Sequence, residues 1–187
     1  MSIEAELKAR VHDVTAVREA LSARADVEVA EYRDAYFDRA EDGFMAGGRE
    51  LRLRTVETSQ SVRTLLTFKA PAVDEASGSK PEFETTVDDR DAAAAILSGL
   101  GYEVALEFTK HCENFEFEYA GYPMLATLVT VTEIEGTFLE VETVVQSSEE
   151  MSAALDAVRE VMRGDGIGPD DFTTELYTDA VSRARGR

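Results

Sequence analysis

The sequence predicts an α+β fold in which an eight-stranded antiparallel β-sheet closes into a barrel and helices pack outside it. Charged residues recur at every second position, as in Glu4-x-Glu6-x-Lys8 and Glu50-x-Arg52-x-Arg54. Residues i, i+2 and i+4 of a strand share one face, so these charges point to the same side. The residues between the charges are apolar, among them Ile3, Leu7, Val11, Leu51, Leu53, Leu66, Phe68, Phe83, Leu139 and Val141. A closed barrel with a polar interior and helices over its apolar exterior accommodates both faces.

The individual elements follow from this alternation and from the turn and capping residues between the segments. We expect strands at residues 2–11, 27–38, 49–57, 61–70, 80–87, 102–109, 110–119, 124–133 and 137–146. We expect helices from a cap at Asp13 to about Arg24, from a cap at Asp88 or Asp89 to Leu100 with Gly101 as the stop, at 149–163 and within 169–183. Small and polar residues at 71–79 predict a flexible loop. These segments form a single domain over residues 1–187, with C-terminal helices from about 149.

The composition is strongly acidic. The chain has 38 Asp and Glu against 19 Lys and Arg, which gives a formal net charge of -19. Such a chain repels nucleic acid and anionic membranes, so neither is an expected partner. Its surface charge suits a halophilic protein, because molar salt screens charges within about 3 Å. An anionic ligand must therefore be bound by a local basic site.

Other features of the composition predict a cytoplasmic protein. The sequence has no apolar run of the roughly 18 residues that a membrane span requires, and its N-terminus begins with a charged strand rather than a signal peptide. Its single cysteine, Cys112, excludes an internal disulfide and fits a reducing compartment. The sequence leaves open whether two copies associate as a homodimer.

Lysine is confined to a few positions. Only four of the 19 basic residues are lysines. All four lie in predicted strands, at positions that follow the every-second-residue pattern of charges: Lys8, Lys69, Lys80 and Lys110. We interpret this as lysine retained where a point charge binds phosphate. A strand face that carries both acids and bases can bind metal ions and a polyanion together.

The chain contains seven motifs: Glu4-Ala-Glu6-Leu-Lys8, Tyr36-Phe37-Asp38, Glu50-Leu-Arg52-Leu-Arg54, Leu66-Thr-Phe-Lys69, Lys80-Pro-Glu82-Phe-Glu84, Gly136-Thr-Phe138-Leu-Glu140-Val-Glu142 and Glu175-Leu-Tyr177. In order and spacing they resemble the CYTH superfamily, the triphosphate tunnel metalloenzymes, and most of all its class IV adenylate cyclases. The resemblance spans nearly the whole chain. It implies an eight-stranded tunnel that holds a nucleoside triphosphate or another triphosphate together with Mg²⁺ or Mn²⁺.

The resemblance also implies roles for individual residues, and these agree with ligand chemistry. Carboxylates suit a hard divalent ion, and arginines and lysines suit phosphate oxygens. The expected metal ligands are Glu4, Glu6, Glu140 and Glu142. The expected catalytic lysines are Lys8, Lys69 and Lys110. The expected triphosphate ligands are Arg52, Arg54, Arg63 and Lys80, and further candidates are Glu82, Glu84 and Asp38.

The sequence departs from the family pattern at three positions. Cys112 stands where an arginine is usual, Thr130 where many members have an aspartate that Glu133 could replace, and Lys80 where arginine is usual. We expect Cys112 to be a small buried residue, because no catalytic partner for a thiol is evident. Three functions remain open: an adenylate cyclase that forms cyclic AMP and pyrophosphate, a hydrolase of thiamine triphosphate or tripolyphosphate, and a non-catalytic binder. A network of salt bridges inside the barrel is the structural alternative for the glutamates.

Overall fold

Eight antiparallel strands form one curled sheet in the computed structural model, which describes residues 3–39, 44–73 and 79–186. The strands are β1 (Ile3–Val11), β2 (Val27–Asp38), β3 (Glu50–Thr58), β4 (Val62–Lys69), β5 (Glu82–Val87), β6 (Glu103–Tyr119), β7 (Tyr122–Val131) and β8 (Ile134–Val145). The helices are α1 (Val14–Ser22), α2 (Arg90–Gly99), α3 (Met151–Gly164) and α4 (Tyr177–Ala184), with a 3₁₀ turn at Pro169–Asp171. The loop predicted at 71–79 lies mainly outside the described residues.

The sheet has eight strands as the fold class predicts, whereas nine strand segments are predicted along the sequence, one too many. The segments expected at 102–109 and 110–119 form the single 17-residue strand β6. Neither Gly nor Pro interrupts this stretch, and β2 pairs with residues on both sides of the expected break. The predicted caps are confirmed, since Asp13 and Asp89 accept hydrogen bonds from the backbone N–H groups of Ala16 and Ala92.

The strand order is β1-β8-β7-β6-β2-β3-β4-β5, which leaves β1 and β5 at the two edges. These edges meet only at an isolated bridge between Ile3 and Pro81, so the described sheet is curled rather than continuously closed as predicted. Proline at this point cannot donate to a ladder. A C-terminal segment occupies the other half of the β1 edge, where the Thr173 N–H donates to the Lys8 carbonyl at 2.9 Å.

The convex face of the sheet carries the apolar side chains, as the alternation predicts. Ala5, Leu139 and Val141 are fully buried in a core that includes α1 and α3, and Leu53 packs in a second core with Leu97 of α2. Phe83 is the exception: its side chain is 54% exposed. It lies on the edge strand β5, where its main neighbour is the stacked ring of Phe68.

Helix α4 packs differently from the other three helices. Tyr177 and Val181 join a core formed by residues of the concave face, including Phe108 and Phe138. The Tyr177 ring meets the Phe138 ring edge-on at 5.4 Å between centroids. Helix α4 therefore covers one side of the space that the sheet encloses. Among the described helices, none has the length and apolar character that a membrane crossing needs.

Candidate active site

The concave face of the sheet encloses a cavity of about 450 Å³ to which all eight strands contribute side chains. Every lysine of the chain lines it. So do nearly all of the residues that the sequence proposes for the site: Glu4, Glu6, Lys8, Arg52, Arg54, Arg63, Lys69, Lys80, Glu82, Glu84, Lys110, Glu140 and Glu142. The period-two alternation places them together, because it directs one face of each strand inward.

Three carboxylates form a compact group, the β1/β8 cluster, which consists of Glu4, Glu6 and Glu142. One oxygen from each lies within 4.8 Å of the others. The antiparallel pairing of β1 with β8 creates the cluster, since it sets Glu6 directly opposite Glu142. Three oxygen donors at this separation fit a hard divalent cation such as Mg²⁺ or Mn²⁺.

The electrostatics of the β1/β8 cluster also fit a cation. Burial, together with the charges of Glu140 and Glu4, raises the pKa of Glu6 to about 7. Burial and the charges of Glu4 and Glu6 raise the pKa of Glu142 well above its ordinary value. Burial also opposes ionisation of Glu4, but the Lys69 ammonium outweighs it and lowers the pKa of Glu4 to about 2. In the described part of the chain, neither Glu6 nor Glu142 forms an ion pair.

Glu140 lies outside this cluster, although the sequence groups it with the metal ligands. One of its carboxylate oxygens is 3.5 Å from the Lys110 Nζ, and its cross-strand partner is Lys8. Burial opposes its ionisation, yet the two lysines lower its pKa below the ordinary value. Glu140 therefore counterbalances the lysines.

The aromatic ring of Tyr177 contacts the same two lysines, Lys8 and Lys110. The Nζ atoms of Lys8 and Lys110 lie 4.3 and 4.0 Å from the centroid of its ring, a cation–π arrangement at both. Lys8 also donates to the Glu175 carbonyl. The sequence identifies Tyr177 as part of a motif but not as a site residue, because no local pattern shows that a residue near the C-terminus lies beside the cavity.

The β3–β5 side of the cavity balances its charges in pairs. Lys69 contacts Glu4 and also lies 3.0 Å from a carboxylate oxygen of Glu82. Lys80 pairs with Glu50, a residue that the sequence prediction omitted from the site. Burial opposes ionisation of Glu50, but Lys80 lowers its pKa below the ordinary value. On this side of the cavity, the glutamates form the internal salt bridges that the sequence offers as the structural alternative to metal binding.

The two neighbouring arginines of β3 differ in availability. Arg54 donates twice to Asp34, at 2.6 and 2.7 Å, and its guanidinium lies 4.7 Å from the centroid of the Tyr32 ring. Arg52 is buried, and its Nε has no hydrogen-bond partner among the described residues; its guanidinium donates to Thr67 Oγ1 at 3.4 Å and lies 4.0 Å from a Glu84 carboxylate oxygen. Arg52 is therefore the buried guanidinium that is most available to a ligand. Asp34 was missed, because a lone aspartate in a strand gives no signal for a buried pair.

The remaining predicted residues lie elsewhere. Asp38 is not among the residues that line the cavity, and it accepts hydrogen bonds from the backbone N–H groups of Arg39 and Met45, so the structure does not bring it together with the other proposed site residues. Cys112 is buried as expected, and burial raises its pKa to about 12, so it stays protonated. Glu133 pairs with Arg185 and is not among the residues that line the cavity.

Comparison with known proteins places this geometry in a family. The CYTH domain matches residues 2–177. A protein of Methanocaldococcus jannaschii that is named as a candidate adenylate cyclase is 23% identical over 179 residues, covering 95% of this chain and 97% of the relative. Adenylate cyclase CyaB of Aeromonas hydrophila is 33% identical over 110 residues, which cover 57% of this chain and 53% of the relative.

Solved structures share the fold. A protein of Pyrococcus horikoshii has a TM-score of 0.85 and 25% identity, covering 96% of this chain and 98% of that one. A Hippeastrum protein, described as a candidate adenylyl cyclase with a dominant triphosphatase activity, has a TM-score of 0.65 and 16% identity, covering 98% of this chain and 96% of that one. With the domain match over most of its length and the cavity described above, this chain belongs to the CYTH domain family.

Proposed function

We propose that this chain is a class IV-type adenylate cyclase that converts ATP to cyclic AMP and pyrophosphate in the cavity of its curled sheet. One observation carries the proposal: a carboxylate cluster suited to a divalent ion and a set of lysines and arginines suited to a triphosphate line the same buried space. The relatives named as adenylate cyclases support the choice of ATP.

The β1/β8 cluster would hold Mg²⁺ or Mn²⁺. Its donors are all oxygens, and two of its three members form no ion pair in the described structure, so a cation would offset a charge that this chain leaves uncompensated. When bound, the ion supplies charge neutralisation and Lewis acidity to phosphate oxygens.

The reaction forms a bond between O3′ of the ribose and the α-phosphorus, breaks the bond from that phosphorus to the bridging oxygen, and releases pyrophosphate and the 3′-hydroxyl proton. Such a transfer depends mainly on positioning and on neutralising charge. Arg52 and Lys69 would bind phosphate oxygens from the β3–β5 side, and Lys8 and Lys110 from the side of Tyr177. Because these groups are preorganised in a low-dielectric space, they stabilise the developing charge better than water does.

A triphosphatase is the second candidate. The structural relative from Hippeastrum has a dominant triphosphatase activity despite its cyclase name. The charged residues of the cavity would serve water as the attacking group as well as a ribose hydroxyl. A non-catalytic triphosphate binder is the third candidate.

One assay separates the three functions. The protein is incubated with Mn²⁺ or Mg²⁺ and either ATP, tripolyphosphate or thiamine triphosphate, and the products are resolved by chromatography. Cyclic AMP and pyrophosphate from ATP support the cyclase, whereas orthophosphate indicates a triphosphatase. Binding without turnover indicates a binder. Arg163→Ala, at an exposed helix position, serves as the control variant.

A further inference from the structure

Lys8 and Lys110 are held differently from the other two lysines of the cavity, each of which contacts a glutamate of its own. The Nζ atoms of Lys8 and Lys110 lie 4.3 and 4.0 Å from the centroid of one aromatic ring, that of Tyr177. The carboxylate beside both lysines is that of Glu140, which lies 3.5 Å from the Lys110 Nζ and is the cross-strand partner of Lys8. Two ammonium groups beside one carboxylate leave this part of the cavity with an excess of positive charge.

The two ammonium groups repel each other. Burial lowers the pKa of Lys8, and the charge of Lys110 acts in the same direction. In the part of the chain that the structure describes, Lys8 forms no ion pair, and its ammonium donates to the Glu175 carbonyl. An aromatic ring offsets such repulsion, because its face carries partial negative charge. Unlike a carboxylate, the ring has no net charge, so it leaves the positive charge of the lysines available to an anion.

The contact is made by the ring of Tyr177 rather than by its hydroxyl. The hydroxyl is buried and has no hydrogen-bond partner within the described residues. Phe138 meets the ring edge-on at 5.4 Å between centroids, and Phe108 packs against it at 6.5 Å, so these neighbours fix its orientation. Tyr177 is the first residue of α4, and the packing of this helix therefore places the ring beside the lysines.

We propose that Tyr177 is a positioning residue, which acts through Lys8 and Lys110 by holding their ammonium groups together where a phosphate can bind them. A weaker ring would let the lysines pair more closely with Glu140 and Glu6, and a phosphate would then have to break those charged contacts. This inference rests on the proposed triphosphate site. It gives the C-terminal helix a role in ligand binding that goes beyond covering the cavity.

The test changes the charge on the ring face without removing the ring. Tyr177 is replaced by phenylalanine and by phenylalanines that carry one or three ring fluorines, because each fluorine withdraws electrons and weakens the attraction for a cation. The control places the same fluorinated residues at Phe108, which is buried in the same core and has no cation over its ring among the described residues. Calorimetry measures the binding of tripolyphosphate to each protein with Mg²⁺, and thermal melting measures folding.

We expect Tyr177→Phe to bind tripolyphosphate within about twofold of the parental chain, because the ring is retained. Each added fluorine should weaken binding, by about tenfold in total for three, the size of a desolvated cation–π contact. The Phe108 series should stay within about twofold of the parental affinity, since no cation lies on that ring. The singly fluorinated ring is close in size to that of tyrosine, so a stepwise loss is measurable even where three fluorines impair folding.

Three results would overturn the inference and leave the triphosphate site in place. These are an affinity that does not change with fluorination at position 177, a loss that is complete in Tyr177→Phe and does not grow with fluorination, and an equal loss in the Phe108 series. If the parental chain binds no tripolyphosphate, both the proposed function and this inference fail.

Discussion

Glu50 on the β3–β5 side of the cavity and the Glu6–Glu142 pair on the β1/β8 side are in opposite electrostatic environments. On the β3–β5 side Glu50 is paired with Lys80, and its pKa lies below the ordinary value. On the β1/β8 side Glu6 and Glu142 lie together without an ion pair among the described residues, and the pKa values of these two carboxyls are raised, whereas Lys69 lowers the pKa of their neighbour Glu4. Paired acids hold lysines in place, whereas an uncompensated cluster costs folding energy unless a cation joins it. The difference indicates which acids serve structure and which serve a ligand.

The largest expected effect comes from removing a charge from Glu6, one of the two carboxylates of the β1/β8 cluster that form no ion pair among the described residues. Glu6→Gln keeps the size of the side chain and deletes one metal ligand, so activity with ATP should fall about 10²-fold or more. Folding should be retained, since the substitution also removes like-charge repulsion with Glu140 and Glu4. Steady-state rates at several Mn²⁺ concentrations measure this. A variant with the parental rate and metal dependence would exclude Glu6 as a ligand.

A lysine of the paired side should have the next largest effect on ligand binding. Lys69→Ala should weaken triphosphate binding by about 1.5–3 kcal/mol, the range for a hydrogen bond to a charged group. Arg163→Ala should change it little, because an exposed charge is screened. Calorimetric titration with tripolyphosphate and with an ATP analogue compares the two. Equal small losses would mean that Lys69 serves only to pair with Glu4 and Glu82.

The raised pKa values predict a pH dependence of metal binding. Because the pKa of Glu6 is about 7, the group is mostly protonated at pH 6 and mostly ionised at pH 8. A divalent ion must displace this proton, so Mn²⁺ should bind about tenfold more weakly at pH 6 than at pH 8. Glu6→Gln should reduce this dependence. An affinity that is constant with pH would contradict the raised pKa.

The same shift predicts how stability without metal changes with pH. A carboxyl whose pKa is higher in the folded state than its unfolded value of about 4.3 makes the folded state bind more protons. Its contribution is complete below that unfolded value, and it is lost as the pH rises through about 7. Urea unfolding of metal-free protein between pH 5 and 8 should show this loss, and a smaller loss in Glu6→Gln. A stability that rises steadily over that range would contradict the assignment.

The smallest predicted effect concerns the whole surface. The net charge of -19 should oppose compaction at low ionic strength, so the melting temperature should rise by several degrees from dilute buffer to molar KCl. Differential scanning calorimetry measures this. A melting temperature that stays constant or falls with added KCl would contradict this prediction and show that the acidic composition does not make stability depend on salt.

The sequence predicts most of the fold and the membership of the cavity, because period-two alternation determines which face of a strand points inward. The sequence does not predict which of the inward-facing acids form ion pairs with which bases. Glu140 contacts Lys110 because β6 and β8 lie on either side of β7 in the sheet, and no local pattern in the sequence encodes that strand order. Asp34 escaped notice for the same reason, since its partner Arg54 lies on a neighbouring strand. Asp38 belongs to a quoted motif, yet it binds backbone N–H groups at the end of β2.

Direct titration of Mn²⁺ in the absence of nucleotide tests the central claim, that the β1/β8 cluster is a divalent-metal site. The measurement compares the parental chain at pH 8 with Glu142→Gln, from the cluster, and Glu50→Gln, from the paired side. Electron paramagnetic resonance of free Mn²⁺ reports the bound fraction in each. We predict one site that Glu142→Gln weakens at least about tenfold, as expected for loss of one charged ligand, and that Glu50→Gln leaves unchanged. Equal Mn²⁺ affinity in all three proteins, or a loss confined to Glu50→Gln, would contradict the account.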